Sequence, residues 1–454
     1  MTADIPLSLR TAYAELLERC AAADFDEAFE EEGIFTPKTI RNRRYWYFQE
    51  AATRRQRYVG PETEELLDRI SRHKRLRDDK REREALVSTL IRSAHLPRPA
   101  AEVGKVLQAL AKAGVFRLRS VLVGTIAFQA YAAMLGVRLT GSAIQTGDVD
   151  IAQDSAISVA VADATPRMLD VLREADPSFR AIPHSHDSRR VATYASVPVR
   201  VDFLTPNRGP NTDAPAKLPA LGTDAQRLRF LDYLIREPEP AVVLYKAGIY
   251  VQVPAPQRYA LHKLIIAQRR QMGVAKREKD LRQAQMLLEI LARKRKDELR
   301  SAWEEAWSRG KTWQRLLIDG LAMVAHITRD ETLAVAGLPR KTLPGLDLQF
   351  DDRPARYDFV RDIVVFDGQA GPDSVRSGIS REALEDHFGA DGLDKEGRIR
   401  RFRENRSTIE AMARVKYRDW PIETAGEVLI KSSDVLKLRA VLDKPPRRAA
   451  SRRS

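Results

Sequence analysis

Two short apolar runs, Asp148-Val-Asp-Ile151 and Arg200-Val-Asp-Phe-Leu204, place a charged residue at every second position. Successive side chains of a strand alternate faces at about 3.3 Å per residue. Asp148 and Asp150 therefore project together, with Cα atoms roughly 6.6 Å apart, while Val149 and Ile151 turn the other way into a core. The same alternation puts Arg200, Asp202 and Leu204 on one face, with Val199, Val201 and Phe203 behind it. A chain patterned in this way has to make a sheet with one apolar face and one acidic face.

A third element precedes them. Ser120-Val-Leu-Val123 reads as a strand, and Gly124-Thr125 then opens a helix over Thr125 to Leu135. Backbone N–H groups left over at a helix start, together with the helix dipole, can receive phosphate oxygens. Three carboxylates on adjacent strands can hold two Mg²⁺ ions about 3.5–4 Å apart, the spacing used for in-line phosphoryl transfer. Without a metal such a trio would repel itself, which argues against a purely structural role. Further β-rich runs at Arg190 to Tyr194 and Pro198 to Leu204, with a helical stretch at Thr165 to Glu174, give an α/β (α+β) fold class with a mixed sheet.

At 454 residues the chain exceeds one ordinary core. Five segments follow from its composition. Residues 1–100 read as helical, with Ile5 to Cys20 and Thr63 to Ala94 as helix-forming runs. Between these, Arg41-Asn-Arg-Arg-Tyr-Trp-Tyr-Phe48 and Tyr58-Val-Gly-Pro61 interleave Arg with aromatic rings, a composition that can stack bases or pack a small domain. Residues 101–258 form the sheet-containing core. They start with a helix over Val103 to Ala113 closed by Gly114, include a long loop over Pro206 to Thr223, and end in a β-like stretch over Glu237 to Pro256. Residues 259–338 are a helical extension. Residues 346–442 are a small α+β domain, where Ser380 caps a helix ended by Gly389 and a single helix runs from Ile399 to Trp420. Residues 443–454 form a basic disordered tail.

The charge is +14, with 77 Lys and Arg against 63 Asp and Glu, and a pI near 9.8. That excess favours RNA or another polyanion as partner and equally fits a basic protein that binds none. One cysteine, Cys20, excludes an internal disulfide framework and any multi-cysteine metal site. The first twenty residues carry Asp4, Arg10, Glu15 and Glu18 and do not read as a secretory signal. The uncharged stretch Ser120 to Val137 contains Gly124, Gln129 and Gly136, and reads as strand, turn and buried helix rather than as a membrane span. The expected location is cytoplasmic.

Leu122-Val-Gly-Thr-Ile-Ala-Phe128, with Asp148-Val-Asp150 and Asp202, resembles the nucleotidyltransferase fold of the DNA-polymerase-beta superfamily. More closely, residues from about 30 to 325 resemble a bacterial family of nucleotidyltransferases of uncertain substrate. The likeness extends through Tyr45-Trp-Tyr47, Tyr58-Val-Gly-Pro61, Gly114-Val-Phe116, Tyr259-x-x-His-Lys263 and Lys279-Asp280. It implies that Asp148 and Asp150 bind both metal ions, and that Asp202 binds one and helps deprotonate the acceptor hydroxyl. Gly124 and Thr125 take the place of the phosphate-contacting pair. Gly-Thr replaces the commoner Gly-Ser or Gly-Gly, and 24 positions separate Gly124 from Asp148, a distance that an insertion over Arg138 to Gln145 can absorb. The C-terminal segment resembles a small bacterial domain of unknown function through Ile363-Val-Val-Phe366, Ile379-Ser-Arg-Glu-Ala-Leu384, His387-Phe388, Phe402, Arg406, Ile409 and Glu410.

The reaction these features imply is metal-dependent transfer of a nucleoside monophosphate from an NTP, such as ATP, to a hydroxyl, an RNA 3′ end being one acceptor. The other reading is a catalytically silent fold that binds nucleic acid or protein. Tyr259, His262 and Lys263 share one helix face. Tyr259 can stack on a base and Lys263 meet a triphosphate, or Tyr259 and His262 pack while Lys263 is solvated. Lys279 is open to the same two readings. His184-Ser-His186-Asp187 is read as a turn between strands. No dinucleotide, P-loop, zincin or α/β-hydrolase motif occurs.

Overall fold

The structure, a computed structural model, describes residues 3–27, 33–40, 43–50, 54–72, 79–139, 147–160, 163–185, 187–210, 212–269, 274–343 and 347–443. The basic tail from 444, the 140–145 part of the insertion and His186 lie outside the described residues. The chain divides into two compact units, Met1–His262 and Lys263–Ser454. Among the described residues no helix is long and apolar enough to cross a membrane.

The first unit is built on a mixed sheet. Its strands run in the order Ala216–Leu218, Thr223–Leu228, Arg200–Pro206, Asp148–Ala152 and Val121–Val123. The hairpin of Arg180–His184 and Asp187–Ala195 joins through the first half of the Arg200 strand. Arg200–Pro206 is parallel to both Asp148–Ala152 and Thr223–Leu228, and Val121–Val123 is antiparallel to Asp148–Ala152. Parallel neighbours need a crossover of about a dozen residues or more. The helices Ser155–Ala160 and Met168–Ala175 lie in that connection. The uncharged stretch becomes the strand Val121–Val123 followed by the helix Gly124–Met134, in which every side chain from Thr125 to Ala133 is buried. The helix Ala101–Lys112 precedes them, closed by Gly114 at φ +84°.

Three expectations need correction. The region up to residue 100 is not all helical: Gly33–Ile40, Arg43–Glu50 and Gln56–Pro61 form an antiparallel sheet beside the helices Leu7–Glu27, Glu64–Arg72 and Asp79–Arg92. Consecutive aromatic residues favour a pleated surface that offers each face a ring. Phe48 packs with Phe35, Trp46, Val59, Leu66 and Ile70. Tyr47 meets Tyr58 at 5.6 Å between ring centroids. The run therefore packs a small domain. The loop over Pro206 to Thr223 contains a strand, Ala216–Leu218, and a short turn of helix at Pro219–Leu221, because Leu218, Ala220 and Leu221 are buried. The single helix expected over Ile399 to Trp420 breaks at Asn405 into Lys395–Glu404 and Arg406–Asp419. Phe402, Ile409, Met412 and Ala413 still reach one core from the two pieces.

In the second unit, helices Val274–Lys294, Lys296–Ser308, Lys311–Leu321 and His326–Ala336 lead to the small domain. Its six-stranded sheet is covered by the helices Arg381–Phe388, Lys395–Glu404, Arg406–Asp419 and Ser432–Leu442 around an apolar cluster from Leu348 to Leu438. The Ser380 hydroxyl accepts the Ala383 N–H at 3.2 Å, and Gly389 ends that helix at φ +69°. A buried ion pair ties the small domain to the preceding helices. Arg340 donates to Asp330 at 2.7 Å, its guanidinium lies 4.5 Å from the centre of the Tyr417 ring, and Asp330 also accepts the Gly426 N–H.

Removing one partner of such a pair strands a buried charge. Asp330→Ala should cost about 3–5 kcal/mol in urea unfolding of the full chain. The double change Asp330→Ala, Arg340→Met should recover most of that loss, since no unpaired charge remains.

Candidate active site

The two acidic strands meet in register. Asp202 stands opposite Asp150 and Arg200 opposite Asp148. Neighbouring strands are about 4.8 Å apart. Val123 is the partner of Asp150 on the other side, and Thr193 that of Asp202. Val123, Asp150, Asp202 and Thr193 thus form one row across the sheet, with Asp148 and Arg200 in the next row but one on the same face. Val149, Ile151, Val201 and Phe203 are fully buried behind. Their burial holds the register, because a slip of one residue would turn four apolar side chains out and the acids in.

Arg200 occupies the middle of the acidic face. Its Nε donates to Asp202 Oδ2 at 2.8 Å and its Nη2 to Oδ1 at 3.1 Å. Thr193 Oγ1 donates to the same Oδ1 at 2.5 Å. The guanidinium is held above its ordinary value first by the hydrogen bond to Asp202 and then by the attraction of Asp202, Asp148 and Asp150, against desolvation. One cation thus senses all three carboxylates. Among the described residues no three His, Cys, Asp or Glu side chains stand close enough to hold a metal ion as arranged. The convergence expected of the three aspartates is met by the backbone register but not by their side chains as they lie; both oxygens of Asp202 are turned to Arg200 and Thr193.

Gly124 closes the other side. It has φ +70°, a conformation that favours glycine. A Cβ built on it would lie 2.1 Å from Asp150 Oδ2, so the carboxylate rests directly against the bare Cα. The helix that starts there has no side-chain cap at Val123. Thr125 follows as a buried residue.

Tyr259, on the helix Pro256–Arg269, supports this turn. Its hydroxyl donates to the Gly124 carbonyl at 2.9 Å, and its buried ring packs between Phe128 and Tyr131, at 6.2 and 5.2 Å between centroids. Of its two readings, packing is the one observed, and His262 is buried as well. Lys263 is neither solvated nor presented to solvent: it forms a buried ion pair with Asp280 at 2.6 Å. Lys279 lies half-buried on Val274–Lys294, in the same second unit as Lys263. The residues that sequence reasoning gave no role are Arg200 and Thr193. The period of two that places Asp202 also places Arg200 beside it, whereas Thr193 comes from a strand whose pairing no local pattern announces.

Residues 101–308 match a family model described as nucleotidyltransferase. Over these residues the chain is similar to that family. Nucleotidyl transfer is the general chemistry of that family, an NTP is the substrate it implies, and its members generally use divalent metals. Residues 348–430 of the small α+β domain match a model described as a protein of unknown function, DUF1488. No match was found among curated proteins or among solved structures.

Two substitutions test the turn at Gly124. Gly124→Ala introduces both a left-handed non-glycine residue, worth about 1–2 kcal/mol, and a clash with Asp150. It should lower the thermal midpoint more than Tyr259→Phe, which keeps the ring and loses one hydrogen bond worth about 0.5–1.5 kcal/mol.

Proposed function

We propose that the domain transfers a nucleoside monophosphate from an NTP to a hydroxyl, with Asp148, Asp150 and Asp202 as the ligands of Mg²⁺ ions. The observation that carries this reading is the register of Asp150 against Asp202, with Asp148 on the same face. Carboxylate oxygens are the donors a hard cation takes. The pull of all three on one guanidinium supports a place for positive charge among them. Bound divalent cations would offset charge on the phosphates and make the acceptor hydroxyl easier to deprotonate.

The chain's own groups have distinct parts in this reading. Asp148 and Asp150 hold the cation side of the site, and the turn at Gly124 and Thr125 offers N–H groups to the phosphates. Asp202, once released by Arg200, completes the ligand set and takes the acceptor proton. Arg200 is then a cation free to meet a phosphate oxygen. The acceptor favoured is an RNA 3′ end. The basic excess supports it and is concentrated: residues 263–346 carry 18 Lys and Arg against 10 Asp and Glu, whereas residues 347–443 carry 17 against 20. Tyr259 acts as a positioning residue through Gly124.

One observation favours the second reading, a silent fold that binds nucleic acid or protein. The two hydrogen bonds from Arg200 to Asp202 already neutralise one of the three carboxylates.

Incubation of the full chain with each labelled NTP, Mg²⁺ and total cellular RNA should give transfer, and Asp148→Ala, Asp150→Ala and Asp202→Ala should each reduce it by at least about a hundredfold, in line with removal of a group that stabilises the transition state. Transfer that survives these changes rules out the assignment. Arg200→Ala separates the two readings by Mn²⁺ binding. Tighter binding than in the unchanged chain supports a metal site restrained by Arg200, and no binding in either protein supports the silent fold.

A further inference from the structure

Asp202, on which nucleotidyl transfer at the acidic face most depends, is held by a residue from a neighbouring strand. Thr193 stands directly opposite it in the antiparallel pair of Asp187–Ala195 with Arg200–Pro206. Opposed residues of such a pair share a face, with Cβ atoms about 4.5–5.5 Å apart. Paired with Arg200, the Asp202 carboxylate only accepts hydrogen bonds, so the hydroxyl is the donor in the 2.5 Å contact of Thr193 Oγ1 with Oδ1. Arg200 Nη2 in turn donates to Thr193 Oγ1 at 3.5 Å, which leaves the hydroxyl proton for Asp202.

The two donors to Asp202 differ in how firmly they are placed. The strand that carries Thr193 is anchored on both sides of it. Tyr194 is buried, with its ring edge-on to Phe203 at 5.9 Å and its hydroxyl 2.9 Å from Thr223 Oγ1. On the other side Ala192 is buried, Val191 donates its N–H to Asp224 at 3.0 Å, and Arg190 pairs with Asp224 at 2.8 Å. Threonine is branched at Cβ and has few χ1 choices, so a fixed backbone fixes its hydroxyl. Arg200 reaches Asp202 through a long, flexible side chain that is about half exposed, whereas that of Asp202 is about one-fifth exposed. Of the two, Arg200 is the one that can leave.

Once Arg200 swings away, the carboxylate has a terminal torsion that is broad and roughly two-fold, so nothing in Asp202 itself keeps its two oxygens apart in role. We propose that Thr193 is the positioning residue of Asp202: it retains Oδ1 when Arg200 lets go, and thereby presents Oδ2, the oxygen bonded to Arg200 Nε, to the reactants. This assignment rests on the role given to Asp202 in nucleotidyl transfer. It divides the two oxygens: one belongs to the sheet, through Thr193, and the other to the chemistry. Thr193 touches neither NTP nor acceptor in this arrangement and acts only through Asp202.

Thr193→Val keeps the shape and the strand preference and removes the hydroxyl, whereas Thr193→Ser keeps the hydroxyl. Mn²⁺ titration of the full chain, followed by electron paramagnetic resonance, reads the effect without turnover. In the Arg200→Ala background, Thr193→Val should weaken Mn²⁺ about tenfold, the scale of one hydrogen bond to a charged group, and Thr193→Ser should recover most of the loss. In the transfer assay Thr193→Val alone should lower kcat about tenfold with KM for the NTP within about twofold, and Thr193→Ser should again recover most of it. Circular dichroism and thermal midpoints should match the unchanged chain in both variants, which a merely structural role of the hydroxyl would not allow. The proposal is overturned if Thr193→Val retains Mn²⁺ affinity and kcat, or if Thr193→Ser fails as Thr193→Val does. If neither the unchanged chain nor Arg200→Ala binds Mn²⁺ or transfers, the role of Asp202 falls and takes this assignment with it. If they bind and transfer and Thr193→Val equals them, this assignment alone falls.

Discussion

The candidate site rests on the parallel pairing of Asp148–Ala152 with Arg200–Pro206. Four fully buried side chains, Val149, Ile151, Val201 and Phe203, press that pair into its core. They leave the alternate positions no choice but the opposite face, where three carboxylates and one guanidinium collect. Apolar burial at about 25 cal/mol per Å² is the force that brings like charges together there. The face so formed carries three negative charges that Arg200 offsets in part.

Around this pair the rest of the first unit acts as a brace. The helix Gly124–Met134 is buried along its length, and its first residue lies against Asp150. Tyr259 reaches the same residue from the Pro256–Arg269 helix and bonds its carbonyl. A tyrosine between Phe128 and Tyr131 thus links packing to the geometry of the turn, and its hydroxyl finds the partner that a buried polar tip requires.

Buried cations are paired with carboxylates in both units. In the second, lysines and arginines are drawn into the interior as pairs: Lys263 with Asp280, Arg340 with Asp330, and Lys416 with Asp434. Each is compensated within one contact. In the first, Arg83 is paired in the same way with Asp79, whereas Arg200 divides its attraction among three acids. Where acids outnumber the cation, a further positive ion lowers the energy, whereas one-to-one pairing marks structure. A net charge of +14 does not distinguish these cases, because it sums them.

Periodicity in the sequence determined the faces. The two-residue repeat assigned Asp148, Asp150 and Asp202 to one side, the glycine after Val123 announced the turn, and Ser380 and Gly389 marked both ends of a helix, because these are local properties of a few residues. Only the tertiary structure decided what those side chains touch. It broke the long C-terminal helix at Asn405, and it made a sheet of the aromatic run at Tyr45 to Phe48 by supplying partners from residues 33–40 and 56–61. It also gave Lys263 to Asp280, and turned Asp202 toward Arg200 and Thr193. Contacts of that kind join positions far apart in the chain or choose among rotamers of near-equal energy, and neither choice leaves a trace in the spacing of residues.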